Sequence, residues 1–276
     1  MLTSPIGAVV AVLDVPAAVA FFGRLGLREI ARGTMPAERY GGGFVDLAAA
    51  DRGRVRLVEV AAGPVPRGPF DAGPAALDFY SRDLAGSLAT VGVPAGPQVR
   101  IDLGPLVMHQ VRLLGPDTTP VVLIDANHRR ASLLDTDETA RHSEVHSLVW
   151  VVPRIDDALP FWTKAGLTVA FDVPIASPAV AELMDLPRAD VPVRMAMLTD
   201  VDVRPMRLEL FEFPADVGAP FDPTPRAGTV WPAFEVADLD AAVGLPWLSI
   251  DRVVEVAGHR TVRCVAPGGV VAELWA

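Results

Sequence analysis

Apolar stretches of strand length alternate along the chain with short stretches that have helical spacing. The apolar residues up to Leu13 are followed by Asp14, and the aromatic pair Phe21-Phe22 lies seven and eight residues after Asp14. The apolar run 148–152 precedes Arg154 in the same way, with Phe161 and Trp162 at the same spacing. Polar or proline residues before apolar positions at helical spacing are typical of helix starts. Both segments therefore predict a strand that leads into a helix.

Each of these predicted helices is followed at the same distance by a glycine. Gly26 and Gly166 both lie 12 residues after the position that opens the helix. Glycine suits the end of a helix because the chain there often adopts positive φ. The two segments are thus copies of one strand–helix unit.

A second pair of segments repeats the unit with shorter helices. The segments 79–84 and 234–239 each run from an apolar strand into an Asp, at Asp83 and Asp238. Segments rich in β-forming residues and broken by Gly and Pro follow all four predicted helices. The repeat predicts an α+β fold of four tandem βαβββ modules, at about 5–61, 74–127, 145–214 and 228–276, with two modules in each half of the chain.

The order of the modules predicts two halves. Residues 1–127 would be an N-terminal pair of modules, 128–144 a charged linker, and 145–276 a C-terminal pair. Since consecutive modules are neighbours along the chain, each half is expected to form its own barrel. The third module contains an extra segment, 177–187, which either covers a pocket or packs as an ordinary surface helix.

Composition narrows the class of protein. The net charge of −10 disfavours nucleic acid and anionic membrane surfaces as partners. No apolar run reaches the roughly 18 residues of a membrane helix, and the N-terminus lacks the basic start of a signal peptide. We therefore expect a cytoplasmic protein. The single cysteine, Cys264, is expected to be a core residue.

The repeated motif resembles the vicinal oxygen chelate superfamily, which includes glyoxalases, bleomycin-resistance proteins and extradiol dioxygenases. The resemblance rests on the strand, the capped helix with its aromatic pair, the following Gly-Leu, and the closing strands 207–212 and 271–275. It implies two half-open barrel domains, each formed by two modules around a small-molecule ligand. Because four modules can pair within one chain, we expect a monomer or homodimer. In this superfamily a His from the first strand and a Glu from the last strand of a module typically bind one divalent metal, here Fe, Mn, Zn or Ni.

The residues at those positions match the superfamily only in part. Counting back from the helix starts, the His positions are occupied by Gly7, Ala76, Ser147 and Trp231. His146 lies one residue away and, without a bulge, would face the helix layer. The Glu positions hold Glu209 and Glu273 in the C-terminal half but Arg56 and Val122 in the N-terminal half. The C-terminal half is therefore expected to carry the site, and the N-terminal half to be a structural or partner half.

Strand alternation then predicts the contents of one C-terminal pocket. The candidate catalytic residues are Glu235, Glu209 and Glu273. The candidate ligand-binding residues are Trp231, Ser147, Val149 and His259, and the candidate metal ligands are Glu209, Glu273 and His146.

Three functions remain open at this point. The first is a metal-dependent lyase, isomerase or dioxygenase that acts on a small oxygenated metabolite through a degenerate metal site. The second is a metal-free enzyme in which one of the Glu residues transfers a proton. The third is a metal-free protein that binds a drug or metabolite without chemistry. The sequence has no dinucleotide, P-loop or nucleophile-elbow motif, so nucleotide chemistry has no support.

Overall fold

The computed structural model describes residues 2–50, 52–175, 177–199, 206–214 and 218–276, and these form four successive modules. The first module contains β1 (Leu2–Val12), α1 (Val15–Arg24), β2 (Arg28–Thr34), β3 (Gly43–Ala49) and β4 (Arg52–Glu59). The second contains β5 (Gly73–Ser81), α2 (Leu84–Val91), β6 (Ala95–Leu103), β7 (Leu106–Leu114) and β8 (Pro120–Ala126). The third contains β9 (His142–Val151), α3 (Ile155–Ala165), β10 (Thr168–Ile175), α4 (Pro178–Leu183), β11 (Val193–Thr199) and β12 (Arg207–Glu212). The fourth contains β13 (Val230–Val236), α5 (Leu239–Val243), β14 (Ser249–Ile250), β15 (Val254–Val256), β16 (His259–Val265) and β17 (Val271–Trp275). The predicted α+β class with tandem modules is confirmed.

Side-chain caps explain where the helices begin. The carboxylates of Asp14, Asp83 and Asp238 accept hydrogen bonds from backbone N–H groups in the first turns of α1, α2 and α5, at 2.9, 3.1 and 2.9 Å. These bonds satisfy donors that a helix leaves unpaired at its start. Helix α3 follows Arg154 and has no such cap from its own segment. Instead, Glu212 at the end of β12 accepts a hydrogen bond from Ile155 N at 2.7 Å.

The two glycines predicted to end the long helices do so. Gly26 has φ of +91° and Gly166 has φ of +116°, values that residues with a side chain rarely adopt. Each therefore lets the chain turn sharply from the helix into the next strand.

The modules pair in an order different from the one predicted. One sheet has the order β14-β16-β17-β13-β1-β4-β3-β2, with β15 on β16, and the other has the order β10-β11-β12-β9-β5-β8-β7-β6. The first module thus pairs with the fourth, through antiparallel strands β1 and β13, and the second with the third, through β5 and β9. We call the concave face of the first sheet the first cup and that of the second sheet the second cup. Two half-open barrels are present, but the prediction that each half of the chain forms its own barrel is wrong.

The path of the chain accounts for this pairing. After β4 the chain crosses between sheets through segment 60–72, which contains three prolines and returns no strand to the first sheet. Modules two and three are then joined by segment 127–141, and β9 starts at His142, inside the predicted linker. This segment is folded against the protein: Arg82 donates to backbone oxygens of Ala140 and Asp137 at 2.8 and 2.9 Å. The chain thus leaves the first sheet after module one, builds modules two and three consecutively into the second sheet, and returns to the first sheet with module four.

The core lies between the sheets and the helices. Large aromatic side chains are fully buried there, among them Trp150, Trp162 and Phe22. Cys264 is buried as predicted, and burial raises the pKa of its thiol. Across the described ranges, no helix has both the length and the apolar character needed to cross a membrane.

Candidate functional site

A cavity of about 1070 Å³ occupies the second cup. Its walls are mainly apolar and come from both halves of the chain; they include Ile101, Val122, Ile124, Val149, Val151, Phe171, Met195 and Phe211. Helix α4 and the residues after it also line the cavity, through Val180, Leu183 and Met184. The extra segment of the third module therefore borders the cavity, which is the first of the two alternatives that its sequence left open.

A cluster of polar side chains lies on the strands at the centre of this cup. Ser147 of β9 is paired in register with Asp78 of β5 on one side and with Arg207 of β12 on the other. Strand alternation puts Tyr80 on the same face as Asp78, and Glu209 on the same face as Arg207. All four of these neighbours of Ser147 line the cavity.

His146 joins this cluster because β9 contains a bulge. Asp78 faces Ser147 across the two strands, but the next residue of β5, Phe79, faces Val145. His146 is therefore the extra residue of β9, and it lines the cavity beside Ser147 instead of facing the helix layer. Its ring stacks on Tyr80, with ring centroids 3.9 Å apart and an angle of 24° between the planes. The expectation from strict alternation is thus wrong for this residue.

Arg207 holds both His146 and Glu209. Its Nη2 atom lies 3.2 Å from His146 Nδ1, in still closer contact with Nε2, and 3.5 Å from Glu209 Oε1. Because the guanidinium can only donate hydrogen bonds, the imidazole must accept and therefore be neutral. Burial, together with the charge of Arg207, lowers the pKa of His146 well below its usual value.

Asp78 is the most perturbed acid of the cluster. It is 5% exposed, and its Oδ2 accepts a hydrogen bond from Ser147 Oγ at 2.6 Å. Its Oδ1 is buried and has no hydrogen-bond partner. Burial, and then the negative charge of Glu209, raise the pKa of Asp78 to about 8. At neutral pH this carboxyl group therefore carries a proton.

A divalent metal does not fit this cluster. The two candidate ligands that are present, His146 and Glu209, both contact the guanidinium of Arg207. A metal ion between them would lie against a resident positive charge and would be repelled. Among the described residues, no three His, Cys, Asp or Glu side chains form a group suited to hold a metal. The third candidate, Glu273, lies on the other sheet.

The remaining predicted site residues do not reach the cavity. Trp231 and Glu273 are fully buried in the first cup. There Glu273 Oε1 accepts a hydrogen bond from Trp275 Nε1 at 2.8 Å and lies 3.6 Å from Arg56 Nη1. His259 is half-buried, with its ring 6.4 Å from that of Trp275. Glu235 is exposed at the end of β13. The predicted single cluster of three acids is therefore divided between the two cups and the surface.

Sequence reasoning missed Asp78, Tyr80 and Arg207. A signal for the first two was present, because Ala76 had been placed at a pocket-facing position and alternation puts Asp78 and Tyr80 on that same face. They were overlooked since the N-terminal half was expected to be structural. Arg207 likewise precedes Glu209 by two residues and shares its face.

Comparisons with known proteins agree on the fold. No family model matches the chain, and no curated protein matches it. Glyoxalase I from Zea mays superposes with a TM-score of 0.65 and 16% identity, over 98% of this chain and 91% of that one. A candidate dioxygenase from Bacillus subtilis subsp. subtilis str. 168 superposes with a TM-score of 0.66 and 12% identity, over 99% and 85%. The chain therefore shares its fold with these two structures over almost all of its length.

Proposed function

We propose that the protein binds a small, largely apolar organic molecule in the second cup, without a metal. The observation that carries the proposal is the contact of Arg207 with both His146 and Glu209, inside a cavity whose walls are otherwise apolar. The guanidinium supplies the positive charge that a metal would supply in a metal-dependent relative. It has no vacant coordination position to offer to substrate oxygens.

The size and lining of the cavity support a small organic ligand. Its volume of about 1070 Å³ is at the upper end of the range of about 300–1000 Å³ found for pockets that enclose organic molecules. Apolar walls with a few polar groups at one place are typical of such pockets. The net charge of −10 supports a small molecule over a nucleic acid as the partner.

Proton transfer is a second candidate function, and the pair Asp78 and Glu209 favours it. Burial and the neighbouring charge keep Asp78 protonated, whereas Glu209 lies beside Arg207. A carboxyl group with a raised pKa, such as Asp78, next to a second carboxyl group can provide an acid and a base in one site. This function would use Glu209, as predicted from the sequence, together with Asp78, and not Glu235 or Glu273.

The binding function is tested with a carbonyl-free apolar fluorophore, dimethylaminonaphthalene. We expect its emission to rise and shift to the blue on saturable binding, with the same affinity in the presence and absence of EDTA. Ala76→Trp, which places an indole in the cavity from β5, should strongly weaken binding, and Ala61→Trp at an exposed position should not. Met195→Trp, which places an indole in the cavity from β11, serves as a second blocking variant. Loss of binding on treatment with EDTA, or full binding in both blocking variants, would contradict the proposal.

Hydrogen–deuterium exchange into a bound ketone distinguishes proton transfer, the second candidate function, from simple binding. Incubation of bound ketones in deuterated water should label the carbon next to the carbonyl if Glu209 removes a proton there. Glu209→Gln should stop this labelling, and Arg260→Met, which changes an exposed residue, should not. Absence of labelling with every bound ketone would leave binding as the function.

A further inference from the structure

We propose that Asp78 determines the specificity of the second cup, by donating a hydrogen bond to a neutral acceptor such as the carbonyl oxygen of a ketone or ester. This inference rests on the proposed function, since it names the chemical class of the bound molecule. It predicts that otherwise apolar molecules with a carbonyl group bind better than their carbonyl-free analogues.

The geometry leaves one atom of Asp78 for the ligand. Ser147 Oγ occupies Oδ2 at 2.6 Å, whereas Oδ1 has no partner within the described part of the chain. A buried polar atom without a partner costs free energy, which a ligand can recover by pairing with it. Because Asp78 lines the cavity between Tyr80 and the apolar wall at Val122, a bound molecule lies against this residue, and pairing with the buried Oδ1 requires the side chain to turn toward the ligand.

The charged neighbours decide that Asp78 donates. The groups around Asp78 come from four strands. Glu209 and Arg207 lie on β12, Ser147 and the neutral His146 on β9, and Tyr80 on the same strand as Asp78. Gln110 and Arg112 of β7 line the same cavity. Arg207 is already shared by Glu209 and His146, so the negative charge of Glu209 disfavours a second carboxylate beside it. With the hydroxyl of Ser147 donating to Oδ2, the proton of the carboxyl group is on Oδ1. A carbonyl oxygen accepts from that position, whereas an anionic carboxylate is repelled by Glu209.

The test compares two fluorophores on the full-length protein. Prodan is a naphthyl ketone whose emission reports hydrogen bonding to its carbonyl oxygen, and dimethylaminonaphthalene lacks that group. We expect Asp78→Ala to weaken prodan binding roughly tenfold, as expected for loss of one buried hydrogen bond, and to leave dimethylaminonaphthalene unchanged. Asp78→Asn should retain prodan affinity, because an amide also donates. Asp102→Asn, at an exposed carboxylate, is the matched control.

The pH profile provides a readout that a purely structural role would not change. In the wild-type protein, prodan affinity should fall as pH rises through about 8, the pKa to which burial raises Asp78, while affinity for dimethylaminonaphthalene stays constant. Asp78→Asn should show no such fall. This comparison needs only the wild-type protein if the Ala variant does not fold.

The possible outcomes separate the two proposals. If dimethylaminonaphthalene does not bind at all, the proposed binding function fails. If it binds, but prodan shows equal affinity in the wild type and in Asp78→Ala, or no dependence on pH, only the role of Asp78 fails. Equal weakening of both fluorophores by Asp78→Ala also overturns that role, because it indicates a general collapse of the cavity.

Discussion

Removal of the Arg207 guanidinium should destabilise the protein strongly. The side chains of Arg207 and Glu209 are 13% and 10% exposed, so their charges are largely removed from water. In Arg207→Met, Glu209 loses the guanidinium that contacts it and remains a largely buried carboxylate with Asp78 as its neighbour. Loss of one partner of a buried ion pair costs about 3–5 kcal/mol. For a chain of this length, such a loss lowers Tm by about 6 °C or more.

The assay is urea denaturation at neutral pH, followed by tryptophan fluorescence, with thermal melts alongside. Arg260→Met is the matched control, because Arg260 and Asp240 form an ion pair of 2.9 Å in which the side chains are 54% and 79% exposed. Exposed pairs of this kind contribute about 1 kcal/mol or less. The free energy of unfolding should therefore drop far more for Arg207→Met than for the control.

A double variant tests the cause of that loss. Arg207→Met combined with Glu209→Leu removes the unpaired carboxylate as well, and replacement of a whole buried pair by apolar residues is often neutral. The double variant should be more stable than Arg207→Met alone by at least about 1 kcal/mol. If Arg207→Met unfolds at the same urea concentration as the control, or if the double variant is the least stable, the electrostatic account of this cluster is wrong.

Three further substitutions test the buried ionisable groups Asp78, His142 and Arg56. Burial raises the pKa of Asp78 from 3.8 to about 8, so between these pH values the native protein keeps a proton that the unfolded chain releases. The free energy of unfolding should therefore fall as pH rises from about 4 to about 8, and Asp78→Asn should flatten this slope in urea titrations at several pH values. Burial lowers the pKa of His142 to about 4, so stability should fall as pH drops from about 6.5 to 4, and His142→Asn should reduce that acid slope. Arg56→Met removes the guanidinium that contacts both Asp46 and Glu273 and should cost about 3–5 kcal/mol in the same denaturation assay; a loss below about 1 kcal/mol would contradict the role given to Arg56.

The modules could be predicted because their signals are local. A cap such as Asp14 or Asp238 and a glycine such as Gly26 or Gly166 act within one or two helical turns, and the structure confirms all of them. The pairing of the modules could not be predicted in the same way. The first strand of every module is apolar, so the repeat alone does not distinguish β13 from β5 as the partner of β1.

The error in pairing is the main reason why the site was only partly predicted. Alternation correctly put Glu209 and Val149 on the cavity side of their strands. The same rule applied to the wrong pair of modules brought in Trp231 and Glu273, which belong to the first cup. His146 was a candidate from the sequence, but the face to which it points was wrongly predicted, since a bulge changes which side chains share a face and leaves no clear mark in the residues themselves.

Both cups use an arginine where the closing strands bring a carboxylate inward. In the first cup Arg56 contacts Glu273 and Asp46 and stacks 4.0 Å above Trp275; in the second cup Arg207 contacts Glu209. A guanidinium neutralises a buried carboxylate as a metal ion would, but its donors are directed and it exchanges no ligands. The arginines therefore balance the inward-facing acids of both cups without a metal. The first cup is occupied by its own tryptophans, whereas the second cup has mainly aliphatic side chains around its polar cluster, which leaves the space that a ligand requires.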